Sequence, residues 1–211
     1  MQLWTTEYGT LWAWESTQGL PPLCRAQIEV EFDEVAPADI DELAVAMRLP
    51  TAESVRQRLK GRRRCFILQV DDQIATYGWV THGPEHVGEL ERRFYIPDDE
   101  AYIWDCVTLP AWRGQRFYSA LLSHILHQLH HEGTPRIWIG ASRLNQPSVQ
   151  GMANAGFQHV VDVTYLRLYR LSVLWFHRSP SRQRPLVSAA YRILLDKHER
   201  RFGQLSLGYK P

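Results

Sequence analysis

A strand that stops on a proline, a tight turn at Arg113-Gly114 and a long amphipathic helix follow one another in Trp104-Asp-Cys-Val-Thr-Leu-Pro-Ala-Trp-Arg-Gly-Gln-Arg-Phe-Tyr-Ser-Ala-Leu-Leu122. No other stretch constrains the fold as much. Ala101–Leu109 reads as a buried strand that Pro110 ends. Gln115–Glu132 carries Phe117, Leu121, Leu122, Ile125 and Leu129 at helical spacing and is closed by Gly133. A buried strand feeding such a helix calls for a layered α/β arrangement. The first N–H groups of a helix have no partner within it, and the helix dipole favours negative charge beside them. With an arginine and a glycine at the turn, this end of the helix suits a phosphate. Any strand–turn–helix unit offers such a turn, so a second segment has to narrow the reading.

That segment is Asn145-Gln-Pro-Ser-Val-Gln-Gly-Met-Ala-Asn-Ala-Gly-Phe157, after a predicted strand Arg136–Ala141. Asn145 is a natural N-cap, Pro147 suits a first turn, and Gly156 suits the position after a helix. Elsewhere, Met1–Thr6 and Thr10–Glu15 around Glu7-Tyr-Gly9 predict an N-terminal hairpin. Ala26–Phe32 alternates as a strand. Helices are predicted from Pro37 to Leu49 and after Thr51. Arg64–Val70 and Gln73–His82 predict a hairpin joined at Asp71-Asp72, and Val87–Ile96 a further strand. Phe157–Arg170 predicts a strand or strand pair, and Leu186–Phe202 a C-terminal helix.

The two segments in series resemble the GNAT superfamily of acyl-CoA-dependent N-acyltransferases. The family pattern of a strand followed by V-x-P-x-x-R-G-x-G-x-G/A is matched by Thr108-Leu109-Pro110-Ala111-Trp112-Arg113-Gly114-Gln115-Arg116-Phe117-Tyr118. An Asn ahead of Gly-Phe is matched by Asn145 and Gly156-Phe157. The resemblance covers Ala26–Arg170. It implies a mixed, mostly antiparallel twisted sheet flanked by helices, of α/β (α+β) class. Residues 1–25 would be an N-terminal hairpin extension, 26–175 the acyltransferase domain and 176–211 a basic C-terminal helical extension.

The resemblance further implies acetyl-CoA or another acyl-CoA as co-substrate and a small-molecule amine as acceptor. The strand ending at Leu109 and the strand Arg136–Ala141 would part, and pantetheine would pair with Val107, Thr108 and Leu109. The pyrophosphate would sit by Arg113 on the amides of Gly114, Gln115, Arg116, Phe117, Tyr118 and Ser119. A backbone N–H near Val107 or Thr108 would polarise the thioester carbonyl. Asn145 would touch the pantetheine arm or hold the second wall. Three departures stand out. Arg116 replaces a preferred glycine, Tyr118 replaces Gly or Ala, and Met152 stands where many members carry a tyrosine general acid. A helical backbone at Arg116 would need no glycine.

For the base, Asp105 is the candidate, on the face of Val107 and Leu109 and opposite Trp104 and Cys106 by strand alternation. The competing reading is a structural acid paired with an arginine. Glu89 and Glu91 are weaker choices. No nucleophile is paired with a base, so a ternary complex is expected rather than a covalent enzyme intermediate. The alternatives are a non-catalytic acyl-CoA-binding module and transfer from a carrier-protein thioester.

Charge and composition exclude other classes. The formal net charge is +1, from 24 Lys+Arg and 23 Asp+Glu. No apolar run approaches the ~20 residues of a membrane helix, and no signal-peptide pattern opens the chain. Cys24, Cys65 and Cys106 have neither disulfide nor zinc spacing, so no metal and a cytoplasmic setting are expected. Six basic residues fall within Arg56–Arg64, without the aromatic platforms of a nucleic-acid motif. They read as a solvated helix end, near the acceptor entrance or the 3′-phosphate of CoA. His124, His127 and His131 read as a solvated flank of their helix. The C-terminal helix is expected to dock on its own domain or on the mate in a homodimer.

Overall fold

The computed structural model describes residues 4–87, 92–168, 171–178, 184–195, 200–202 and 205–209. In chain order the elements are β1 (Trp4–Glu15), β2 (Glu31–Glu34), α1 (Ile40–Ala46), α2 (Ala52–Arg58), β3 (Arg63–Val70), β4 (Gln73–Thr81), β5 (Glu85–Val87), β6 (Arg92–Phe94), β7 (Ala101–Thr108), α3 (Phe117–His131), β8 (Arg136–Ser142), α4 (Gln146–Asn154), β9 (Gln158–Leu168), β10 (Leu171–Arg178), α5 (Arg184–Leu194), β11 (Arg200–Phe202) and β12 (Leu205–Tyr209). One sheet runs β11-β12-β10-β9-β1-β8-β7-β4-β3-β2, and β5-β6 form a separate hairpin. Within the large sheet β7 and β8 are the parallel pair; the other pairings are antiparallel.

The helices divide between the two faces. α3 and α4 bury Phe117, Leu121, Leu122, Ile125, Leu129 and Met152 against Phe66, Ile103 and Ile139. Each such side chain contributes about 1.5–3 kcal/mol through the apolar area it removes from water. On the other face, α1 and α2 cover β3 and β4 through Leu43 and Val55, and α5 covers β9 and β10 through Ala190 and Ile193. Trp104 packs against both of these clusters. It therefore marks the gap between them.

Several elements follow their local signals. The β3–β4 turn places Asp71 and Asp72 at φ 49° and 59°, the left-handed pair that a two-residue hairpin loop requires. α4 begins where Asn145 accepts a hydrogen bond from the Ser148 amide (3.2 Å), and Gly156 follows it at φ 95°.

Other segments correct the sequence reading. The predicted N-terminal hairpin is one continuous strand. β1 lies between β8 and β9 and pairs with both, and Gly9 sits in the ladder opposite Ser142 and Val163 rather than in a turn. Residues 1–25 are thus no hairpin extension. The C-terminal helix stops at Leu194, and β11 and β12 then extend the sheet beside β10, so 176–211 is only partly helical. Val87–Ile96 is not one strand but contributes to β5 and β6, and Glu89 lies outside the described residues with Glu91. Ladder pairing of the Ala26–Phe32 region begins only at Glu31.

The segment between β1 and β2 straps across α3. Cys24 N–H donates to Ser123 Oγ (3.1 Å), a ring nitrogen of His127 bonds the Pro21 carbonyl (2.9 Å), and Gln27 N–H donates to the Gln115 carbonyl (3.2 Å). His124 stacks on Phe32 at 4.6 Å. His124 and His127 are half-buried under the strap rather than a solvated flank, whereas His131 is exposed as expected. Burial lowers the pKa of His124 below 6.5, with Asp33 opposing, and burial lowers that of His82 likewise. A group with a depressed folded pKa binds protons more readily when unfolded, so its stabilisation is present above the unfolded value and is lost as pH falls. The melting temperature is expected to drop as pH is lowered through about 6.5. His124→Gln should flatten that dependence in a pH series of thermal melts.

Candidate active site

β7 and β8 are zipped at one end and parted at the other. Their ladder holds Ala101↔Ile137, Tyr102↔Trp138 and Ile103↔Ile139 and then stops. Past that point β7 stays with β4 through Val107↔Tyr77 and Thr108↔Thr76. β8 stays with β1 through Gly140↔Leu11 and Ser142↔Gly9. Among the described residues, the backbone edge of Trp104–Thr108 that faces β8 therefore has no strand beside it. The zipped end is clamped by Arg136, which pairs with Glu15 (2.6 Å) and Glu100 (2.5 Å). Glu100 is buried and also accepts from Trp138 Nε1, so the pair has the second hydrogen bond that a buried carboxylate needs.

A bulge shapes the parted end. The β4–β7 register shifts between Tyr77 and Trp79, and Asp105 has φ 44°, a conformation that Asp tolerates better than most residues. The bulge corrects the simple alternation. Trp104 and Val107 pack on the α2 side, whereas Cys106 packs toward α3, its Sγ 2.9 Å from where a Cβ on Gly78 would lie. Asp105 also faces α2, where its Oδ2 accepts from Arg58 Nη1. The Arg58 guanidinium lies over Trp79 and Trp104, at 5.6 and 5.3 Å from the ring centroids. The indole N–H groups of these two tryptophans are buried and have no acceptor among the described residues. Burial raises the Cys106 thiol well above its ordinary pKa, so it offers little thiolate for attack.

The turn after β7 carries the second half of the site. Gly114 has φ 87° and Arg116 φ 62°. Arg116 is thus left-handed, not helical, which is the physical reason a glycine would be favoured there. Among the described residues, no protein group accepts from the amides of Gly114, Gln115, Arg116, Phe117, Tyr118 or Ser119. Phe117 can offer only its backbone, because its side chain is 1% exposed in the core. Arg113 is exposed, and its Nε reaches the Thr108 carbonyl at 3.5 Å. Leu109 N–H is already used by the Ala75 carbonyl (2.9 Å).

Tyr118 bridges the two helices. Its ring rests on Gly151 of α4, where an added Cβ would lie 2.3 Å from Cδ1. Met152 is fully buried. Asn145 is exposed, and its side-chain oxygen is engaged as the N-cap.

On the α2 and α5 face, a cavity of about 550 Å³ opens over the parted strands. Its floor includes Trp104, Asp105 and Gly140–Ser142. Arg58 closes it from α2, Val87 and Phe94 from the β5–β6 hairpin, and Leu194 from α5. Glu7–Leu11 of β1 form the remaining wall. Sequence reasoning found the strand end and the turn but missed β1, because its neighbours in the sheet are distant in the chain. It also missed that the basic run is paired. Arg58 binds Asp105, Arg62 binds Asp98, Arg63 binds Glu85, and Arg64 binds Glu34 and Glu132. Among the described residues no group of three or more side chains is arranged to hold a metal, and no described helix is long and apolar enough to cross a membrane.

Residues 31–157 match the sequence model of the acetyltransferase (GNAT) family. A GNAT-family protein of Novosphingobium aromaticivorans aligns with TM-score 0.54 and 12% identity, over 83% of this chain and 66% of that one. An acetyltransferase of the same family from Colwellia psychrerythraea aligns with TM-score 0.52 and 11% identity, over 76% and 56%. No curated protein matches. At these identities the solved structures speak for the fold.

Proposed function

The chain belongs to the acetyltransferase (GNAT) family, and on that premise we propose that it transfers an acetyl group, or another acyl group, from acyl-CoA to a primary amine by direct attack. The observation that carries this reading is the parting of β7 and β8 beyond Ile103↔Ile139, between a run of unpartnered amides and a cavity. CoA brings the acyl group as an activated thioester. The residues present suit it. The amides of Gly114–Ser119 at the start of α3 meet a pyrophosphate, and the left-handed backbone at Gly114 and Arg116 curls them around it. The free edge of β7 pairs with the amides of the pantetheine arm as an added strand would. A β7 backbone N–H near Val107 polarises the acyl carbonyl where negative charge develops.

The acceptor enters from the cavity. Its nitrogen forms the new bond to the acyl carbon, the carbon–sulfur bond breaks, and the sulfur leaves with the electron pair. The nitrogen gives up a proton to the Asp105 carboxylate through the oxygen not held by Arg58, and Arg58 fixes that carboxylate toward the cavity. The thiolate takes its proton from solvent, since Met152 has none to give.

Isothermal titration with acetyl-CoA, followed by a thiol-release assay across amines, tests this. Micromolar binding and amine-dependent thiol release are expected. The packing of Tyr118 on Gly151 and the buried Met152 favour one second reading, a module that binds acyl-CoA without turnover. Binding with no release across the panel would select it. Absence of binding would remove both.

A further inference from the structure

The cavity over the parted strands is cut into a hydrophobic cluster. Leu11, Phe94, Tyr102, Val163 and Leu194 of its wall all belong to the cluster that α5 covers, and each is at most 3% exposed. Val87 and Trp104, also in the wall, pack against the same cluster. Apart from the Tyr102 hydroxyl and the buried indole N–H of Trp104, these seven side chains carry no polar atom.

The charged and titratable groups of the wall are placed differently. Glu7 and His86 are exposed and keep their water. Arg58 and Asp105 are partly exposed and bind each other. Trp104 leans on the apolar cluster and its neighbour Asp105 turns to α2, so the apolar end begins one residue from the carboxylate. A polar body seated at that end would give up its water for few new partners. An apolar body would gain by leaving water. Leu11, Val163 and Leu194 also lie outside residues 31–157, so the family match does not prescribe this end of the cavity.

We propose that the acceptor is a primary amine on an uncharged apolar body, an alkyl- or arylalkylamine, with its nitrogen at Asp105 and its body against Leu11, Phe94, Val163 and Leu194. The place of the nitrogen rests on the acyl-transfer reading. The apolar grip is a binding property and is measured apart from turnover.

The test titrates butylamine, hexylamine, octylamine and aminooctanol into the full chain, alone and with saturating CoA. Affinity should rise about threefold for each added methylene. Octylamine should bind at least about tenfold more tightly than aminooctanol, whose far hydroxyl must be desolvated. Leu194→Trp and, separately, Val87→Trp narrow the cavity from α5 and from the β5–β6 hairpin. Each should weaken octylamine at least about fivefold more than butylamine, with thermal melts to verify folding; the wild-type series decides even where a variant fails to fold. A flat alkyl series, equal binding of octylamine and aminooctanol, or unchanged octylamine affinity in a folded variant overturns the proposal. A separate titration with acetyl-CoA keeps the two claims apart. Chain-length selectivity with no acetyl-CoA binding would sink the transferase reading alone, and acetyl-CoA binding with a flat series would sink this one alone.

Discussion

Gly114→Pro should weaken acetyl-CoA binding at least about 100-fold, or about 2.8 kcal/mol. Gly114 has φ 87°, and the proline ring fixes φ near −65°. The turn must rearrange, the amide at 114 is removed, and the amides that follow are re-aimed. Each hydrogen bond to a charged phosphate contributes about 1.5–3 kcal/mol, so losing one and misdirecting a second is enough. The fold should survive, because the position is exposed and a Cβ there would meet nothing within 4 Å. Gly114→Ala is the control. It keeps the N–H and adds backbone strain of about 1 kcal/mol, so its loss of affinity should be several-fold. Titration of both variants, with thermal melts to verify folding, decides the matter. Unchanged affinity in the proline variant would show that the phosphates are held elsewhere.

Asp105→Asn should lower kcat/KM about 100-fold, within the range of a lost general base, with little change in the Kd of acetyl-CoA. Asparagine matches aspartate in size and also tolerates the left-handed backbone at φ 44°. Its carbonyl can still accept from Arg58, so the bulge and the tryptophan sandwich should persist. What it lacks is the basic oxygen. If Asp105 serves only to hold Arg58, Asp105→Asn keeps most of its activity and Arg58→Ala shows the larger loss. A pH–rate profile separates the two, because removing a base also removes the acidic limb of the profile.

How much of this was legible in the sequence depended on the range of the signal. The strand into Pro110, the turn at Gly114 and the caps of α4 are written within a few residues, and all three stand as read. The same holds for the Asp71-Asp72 hairpin. Arg116 was misjudged by local reasoning, since nothing in the sequence announces that it precedes the helix in a left-handed conformation. The remaining errors are long-range. Arg58 finds its carboxylate 47 positions away and Arg64 finds Glu132 at 68, so a run of arginines resembled a bare basic patch. Gly9 looked like a turn because its partners at Ser142 and Val163 were invisible from its own neighbourhood.

The place of β1 has a consequence for how the molecule is made. A ribosome releases this strand long before β8 and β9 exist, yet it must end up wedged between them, with Glu15 reaching Arg136 across 121 positions. Contacts of such sequence separation form late and slow the search for the native state. Until then the nascent protein carries two bare, sticky ribbon margins where the wedge belongs, the kind of surface on which chains cross-associate. Chaperone dependence and low yield on rapid expression would follow from that order of events.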